Sequence, residues 1–430
     1  MDDKIKMMLE AEVGALIGNR RVPIVAYADD EVLISTDPEE LQKMLDIATK
    51  HSRMWRYKYN ASKSNVMVFG KKIKRAWILD GEEINMTEEY AHLGIIMTPK
   101  ATAKRRIEEG MKRARRAFYQ RCSEGVNINR SSPLAMYTLW KLYAEPILAY
   151  FIPVTCFTIT DIKYLETMIL RLYKRMQGLP GKVQNMVAYT MLGAPTTKVF
   201  IAKVILQFVG FLLKATRQHS LTRYILIHGA VNEDRTTSLV RQWDAVLKEL
   251  GIPSLKDLIY KDDAATGKRW HTTAKDVIEK MIWKELKAST EANKSIHWLE
   301  KLSLNENKFE PPFKFWPANR YSVAQKHATL TRLKLLTGHS WIASSMVRRH
   351  QEAEMRCPLC LKATETMEHM MFECEKLTEE RNEAQEKYQV EIKRELPAEV
   401  FIANANTNEG LLIHVIYSAR VQKEIMMLNN

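Results

Sequence analysis

Nowhere does the chain carry an apolar run near the roughly 20 residues that a helix needs to span a bilayer. Its opening stretch, MDDKIKMMLEAEV, is charged and helix-like rather than a secretory signal. These absences lead to the expectation of an intracellular protein, in nucleus or cytoplasm, that is neither bilayer-spanning nor secreted. Cysteine is scarce, with five in 430 residues, which excludes a disulfide scaffold. No internal repeat or low-complexity stretch is present. What remains is room for two to four domains with ordinary cores, since 46% of residues are hydrophobic. Acidic residues are the minority charge, 51 against 65 basic ones, for a net +14. That excess fits a polyanionic partner such as nucleic acid, or simply a basic surface.

The few cysteines are unevenly placed. Cys357, Cys360 and Cys374 fall within eighteen residues, and His369 lies among them in CPLCLKATETMEHMMFEC, giving Cys-x2-Cys-x8-His-x4-Cys. Three thiolates and an imidazole suit tetrahedral Zn²⁺. The Cys-Pro-Leu-Cys turn can present two sulfurs to one ion, with His369 and Cys374 on a short helix completing the sphere. The alternative is unrelated buried cysteines beside a surface histidine. Four protein donors leave no position for water, so the expected zinc is structural. Cys122 and Cys156 stand alone.

A second concentration of chemistry is VPIVAYADDEVLIS, residues 22–35, where Asp29 and Asp30 sit between two β-branched runs that suit a hairpin. Aspartate is a good turn residue, so the pair is either a turn or a metal site. Around it the first hundred residues mix strand and helix signals. The stretch 35–55 reads as a helix, with Asp37 as cap, Pro38 in its first turn and an apolar stripe of Leu41, Met44, Leu45, Ala48 and Trp55. SNVMVFG reads as a short strand, WILDGEEI as a hairpin around Asp80-Gly81, and YAHLGIIMT as another strand-like run. Beyond Thr98 helices dominate. They are expected at 103–122 and 131–151 as an antiparallel pair, the second capped by Ser131 or Ser132, and at 161–177, 197–217, 235–250 and 273–286. LPGK at 179–182 and NKFEPPFKFWP at 307–317 are the clearest breaks. The expected class is α+β, mostly α.

Taken in order, these segments resemble the reverse transcriptases of non-LTR, LINE-like retrotransposons. VPIVAYADDEVLIS is similar to their polymerase hairpin, YKYNASKSNVMVFGKK to the motif after it, and EEYAHLGIIMT to the primer-grip hairpin, with His92-Leu93-Gly94 where Tyr-Leu-Gly is usual. The segment through LYAEPILAYF and TITDIKYLETMILRLYKRMQGLP resembles the thumb, and the Cys–His cluster is similar to the one near the C-terminus of several such enzymes. The resemblance implies a partial palm over 1–98, a helical thumb over 99–180, a helical connector over 181–340, a zinc module over 341–378 and C-terminal helices over 379–430. It implies that Asp29 ligates catalytic Mg²⁺ with Asp30 as supporting carboxylate. Two-metal nucleotidyl transfer needs such carboxylates to hold ions about 3.5–4 Å apart. Tyr27 and Ala28 would lie against the primer end, and Leu93 and Gly94 would support its backbone. Lys63 would act near the pyrophosphate leaving group, or is a solvated lysine at a turn.

One departure sets an expectation of its own. In that family the other metal-binding Asp stands on an earlier palm strand, and the present sequence begins after it; Asp2 and Asp3 match the linker instead. Polymerisation is therefore not expected of this chain alone, and Mg²⁺ only if the missing palm half is supplied. No endonuclease or ribonuclease H constellation is visible. Between Ala101 and Arg121 there are eight Lys or Arg and two Glu. Arg105, Arg106, Lys112, Arg113, Arg115 and Arg116 could line a thumb face toward RNA and DNA, the template–primer, or form an ordinary solvated helix face. Trp140, Tyr143 and Tyr150 read as core rather than stacking platforms. The alternative function is a zinc-containing RNA- or DNA-binding protein derived from a retroelement, without enzymatic activity. The oligomeric state leaves no trace in the sequence.

Overall fold

Short β-branched runs joined by two-residue turns build the sheets of the first hundred residues, and almost all other described elements are helices. The computed structural model describes residues 2–71, 73–99, 103–123, 128, 131–218, 220–231, 239–260, 266–293, 326–327, 329–330, 333–334, 337, 356–366, 369, 373–379 and 382. The order is α1 (Asp2–Glu10), β1 (Ala15–Ile17), β2 (Arg20–Val22), β3 (Ile24–Tyr27), β4 (Asp30–Leu33), α2 (Pro38–Trp55), a 3-10 turn at Ala61–Lys63, β5 (Asn65–Val66), β6 (Trp77–Leu79), β7 (Glu82–Met86), β8 (Tyr90–His92) and β9 (Ile95–Met97). Then come α3 (Ala103–Ser123), α4 (Pro133–Tyr143), α5 (Glu145–Phe151), α6 (Ile159–Gln177), α7 (Asn185–Leu192), α8 (Thr197–Gln218), α9 (Ser220–Val231), α10 (Leu239–Glu249), α11 (Leu255–Tyr260) and α12 (Thr266–Ala292). The class is α+β and mostly α.

Strands β1–β2, β3–β4 and β8–β9 form antiparallel pairs. A three-stranded sheet has β7 at its centre, parallel to β5 and antiparallel to β6. Two turns share one chemistry. Asp80-Gly81 (φ 52° and 85°) and Leu93-Gly94 (φ 47° and 77°) are left-handed at both central positions, the twist that a two-residue hairpin favours. Helix α2 starts where the Asp37 side chain accepts the Glu40 N–H at 2.9 Å and stops at left-handed Arg56. Trp55, expected on its apolar stripe, is exposed instead, and the rest of the stripe divides between two cores. Leu45 joins Ala61, Val66, Trp77, Leu79 and Ile84, while Met44 and Ala48 join Met8, Val13 and Ile24. Each such buried side chain contributes about 1.5–3 kcal/mol.

Several expectations need correction. The helix expected over 131–151 is two, α4 and α5, because Pro146 has no N–H to continue a ladder and its ring clashes with the carbonyl four residues earlier. Ser132 stands at the α4 N-cap without a side-chain capping bond. Of SNVMVFG only Asn65 and Val66 pair. Trp140 is fully buried as core, whereas Tyr143 and Tyr150 are exposed. Hairpin β1–β2 and helices α7, α9 and α11 were not anticipated. The break at 307–317 and all of 379–430 except residues 379 and 382 lie outside the described residues.

By compactness the chain divides into two units, each assembled from separate segments. One comprises 1–110, 151–161 and 204–271; the other comprises 111–150, 162–203 and 272–430. Within the first, the β1–β2 turn is clasped by α9. The Asn19 N–H donates to the Tyr224 hydroxyl at 3.0 Å, and that hydroxyl donates back to Asn19 Oδ1 at 2.6 Å. Gly18 (φ 61°) permits this approach, since a side chain there would strike Tyr224 and His228. Within the second, Tyr173 meets Tyr137, Trp140 and Tyr189 edge-on, with centroids 5.5–6.2 Å apart. Among the described residues no single helix is long and apolar enough to cross a membrane.

Candidate functional site

Pairing of Tyr27 with Asp30 leaves Ala28 and Asp29 as the two-residue turn of the acidic hairpin, with Ala28 left-handed at φ 55°. Asp29, Asp30 and Tyr27 are all exposed. On β4 the alternation of side chains sends Glu31 and Leu33 to the face opposite Asp30. Leu33 packs on the core, and Glu31 enters a polar network beneath the hairpin. Lys4, 1% exposed, pairs with Glu31 and donates to the hydroxyls of Tyr57 (3.1 Å) and Tyr59 (2.9 Å). Tyr59 donates to the second Glu31 oxygen at 2.9 Å, and Tyr57 lies 3.1 Å from Tyr59 and 3.0 Å from His51 Nδ1. Burial and the neighbouring Glu31 carboxylate push the Tyr59 hydroxyl far above its usual pKa, so it stays a donor.

Lys63 is exposed at the end of its 3-10 turn, which the Asn60 side chain caps by accepting the Lys63 N–H at 3.1 Å. Leu93 and Gly94 form the β8–β9 turn, with Leu93 38% exposed.

The six basic residues of α3 singled out from the sequence separate into different roles. Arg106 is largely enclosed and donates to the carbonyls of Ile96 (2.6 Å) and Val154 (2.7 Å); burial lowers its pKa. Arg115 donates to the Met168 carbonyl at 3.2 Å. Arg105 makes a two-pronged ion pair with Glu89 at 2.9 and 3.0 Å, and its hydrogen bonds hold the Glu89 carboxyl below the usual range. Lys112 and Arg116 are exposed, and Arg113 is partly so.

The metal-donor cluster is the best-formed site. Cys357, Cys360, His369 and Cys374 are all buried, and their donor atoms lie within 4.8 Å of one another. The Cys357 N–H donates to the Ala363 carbonyl (2.7 Å), the Leu361 N–H to the Cys357 carbonyl (2.9 Å), and Arg356 bridges Thr364. Left-handed Leu361 (φ 56°) closes this knuckle. The Cys374 N–H reaches the His369 carbonyl at 2.7 Å, a wide five-residue turn that sets imidazole and thiol together. Sγ of Cys357 and Cys374 are 3.9 Å apart, and Cys360 Sγ is 3.3 Å from His369 Nε2. Neither is a bond; a tetrahedron with Zn–S of ~2.3 Å puts sulfurs ~3.8 Å apart, so the spacing suits a shared ion. Amide N–H groups of Lys362 and Ala363 lower the Cys360 thiol to about 6, the thiolate a metal needs, while burial raises Cys374. Glu373 lies 3.7 Å from His369 Nδ1. These residues can hold one metal ion. Among the described residues no other group of three or more His, Cys, Asp or Glu meets this test.

No family model matches the chain, and comparison with curated proteins finds no match.

Sequence reading missed the Lys4–Glu31–Tyr57–Tyr59–His51 network. Two signals were present: Lys4 stands one turn from buried Met8 on the inner stripe of α1, and Glu31 shares the inward face of β4 with Leu33.

Proposed function

We propose that the chain is a reverse-transcriptase-derived protein of the non-LTR retrotransposon type that binds RNA and DNA as template–primer. The observation that carries this reading is the β3–β4 hairpin, whose turn mounts Asp29 and Asp30 outward while the adjacent Glu31 is anchored below. A rigid mount of that kind suits a catalytic metal ligand. Supporting it is the order of parts: the capped helix α2, the Lys63 turn, the Leu93-Gly94 hairpin, the basic helix α3 and the Cys₃His cluster. In this reading Asp29 holds Mg²⁺ with Asp30 beside it, Leu93 and Gly94 support the primer, and Zn²⁺ fills the Cys₃His site structurally. The phosphate contacts come from Lys112, Arg113 and Arg116, because Arg106 and Arg115 are engaged with backbone carbonyls and Arg105 with Glu89.

The described residues bring no third carboxylate to Asp29 and Asp30. The chain by itself therefore binds without extending a primer. Primer extension on an RNA template with Mg²⁺ or Mn²⁺ tests this: incorporation that disappears in Asp29→Ala would refute it. Binding is tested by fluorescence anisotropy against salt. Lys112→Gln/Arg116→Gln should lower affinity and flatten the salt slope by about 2, and an unchanged slope rules α3 out as the contact. The same metal-donor finding also favours a second reading, a non-enzymatic zinc-containing RNA- or DNA-binding protein. Asp29→Asn/Asp30→Asn separates the two, because loss of Mg²⁺-dependent primer-end binding supports only the first.

A further inference from the structure

At the end of α2 the chain turns sharply through left-handed Arg56, and Trp55, Tyr57 and His51 line an open cleft of about 540 Å³ whose rim carries Asp2 and Asp3 from the first turn of α1. Trp55 is 62% and Tyr57 38% exposed, while His51 is only 4% exposed. The His51 ring lies 6.2 Å from that of Trp55 and 5.8 Å from that of Tyr57. Its Nδ1 meets the Tyr57 hydroxyl, but its Nε2, equally buried, has no hydrogen-bond partner. Buried polar atoms in that condition are uncommon and call for a reason.

When every contact of the network is a hydrogen bond, proton counting places the His51 proton. Lys4 gives its three protons to Glu31, Tyr57 and Tyr59, and Tyr59 gives its own to Glu31. The Tyr57–Tyr59 contact is then served by the Tyr57 proton, and the contact between His51 Nδ1 and Tyr57 takes its proton from the imidazole. A second proton, on Nε2, is disfavoured by burial, then by the charges of Lys4 and the N-terminus, against the weaker pull of Asp3 and Glu31, so Nε2 serves as an acceptor.

We propose that this cleft binds a guanidinium group, presented as an arginine side chain by a partner polypeptide. Two aromatic faces, two carboxylates and a bare imidazole nitrogen all favour a flat cation rich in N–H donors. The guanidinium stacks on Trp55, donates to Asp2 and Asp3, and caps His51 Nε2 with one further N–H. Because Nε2 is buried, this last contact requires the exposed Trp55 ring to move aside. A nucleotide is disfavoured because the rim carboxylates repel phosphate. A metal ion is disfavoured because Asp2, Asp3 and His51 do not come within ligand range of one another. An ammonium lacks the flat face. The inference stands apart from the nucleic-acid reading.

The test is a titration of the full chain, ¹⁵N-labelled at histidine, with N-acetyl-arginine amide, N-acetyl-lysine amide and sodium acetate. The His51 signals are identified by their absence from His51→Asn. Nε2 should begin as an unprotonated ring nitrogen and shift saturably with the arginine probe, less with lysine and not with acetate. Trp55→Ala and Asp3→Asn should each weaken the arginine response roughly threefold or more while leaving thermal unfolding in place. A protonated Nε2 at the outset overturns the proposal. So does a His51 signal unmoved by the arginine probe, an equal response to lysine, or full arginine binding by Trp55→Ala.

Discussion

Moving an ammonium out of water costs several kcal/mol unless its protons find acceptors, and Lys4 directs all three of its own into one network with Glu31, Tyr57 and Tyr59. Removing one partner strands the other. Lys4→Met should lower stability by about 3 kcal/mol in urea denaturation, and the double variant Lys4→Met/Glu31→Gln should recover part of that loss; a double variant as weak as the sum of the singles would deny the coupling. Glu145 makes a contrasting case. Burial raises its carboxyl above the ordinary value, against the opposing pull of Lys203 and Lys141. A carboxyl raised on folding favours the fold below its unfolded pKa, and that contribution is lost as pH rises through the folded value. Glu145→Gln, neutral throughout, should therefore match the parent near pH 4 and gain in Tm progressively toward pH 8. A constant offset across that range would show that ionisation of Glu145 does not matter.

At the scale of elements, the β8–β9 turn holds Leu93 in a left-handed conformation that costs a branched side chain about 1–2 kcal/mol. Asparagine tolerates that region, so Leu93→Asn should raise stability by about 0.5–1 kcal/mol. If Leu93 meets a primer, the same variant should bind template–primer less well; a gain in stability with unchanged binding would remove Leu93 from the contact. How far such elements were legible depends on how local their cause is. The acidic hairpin, the Asp37 cap, the Asp80-Gly81 turn and the Cys–His spacing are written in a few adjacent residues, and each was readable. Pro146 was equally visible, yet the apolar periodicity running through it suggested one helix where there are two. Of the polar network only the inward places of Lys4 and Glu31 were readable, because Lys4, Glu31, His51, Tyr57 and Tyr59 are brought together only by packing α1 against α2 and the hairpin. The same holds for α3, where charge alone could not separate Arg106 and Arg115, bound to carbonyls, from exposed Lys112 and Arg116.

For the molecule as a whole, the Cys₃His site has the largest consequence for a single ligand. Its described part is a knuckle held by a few backbone bonds around four buried donors, with Leu377 packed against them, so a bound metal is expected to order this segment. Cys374→Ser should lose most of the bound zinc in elemental analysis, whereas Cys122→Ser and Cys156→Ser should retain it. Chelation should abolish circular-dichroism and proteolytic signatures of this segment and spare the helices; equal zinc in all three variants would refute the site. The clasp between Asn19 and Tyr224 carries a consequence of a different kind, since its partners are 205 residues apart. On a ribosome adding roughly 5–20 residues per second, the β1–β2 turn waits about 10–40 s for α9 to be made. During that interval the β1–β2 turn exists without the helix that clasps it. Pulse-labelled nascent chains should thus remain protease-sensitive at residues 15–22 until synthesis has passed Val231, and become resistant there only afterwards.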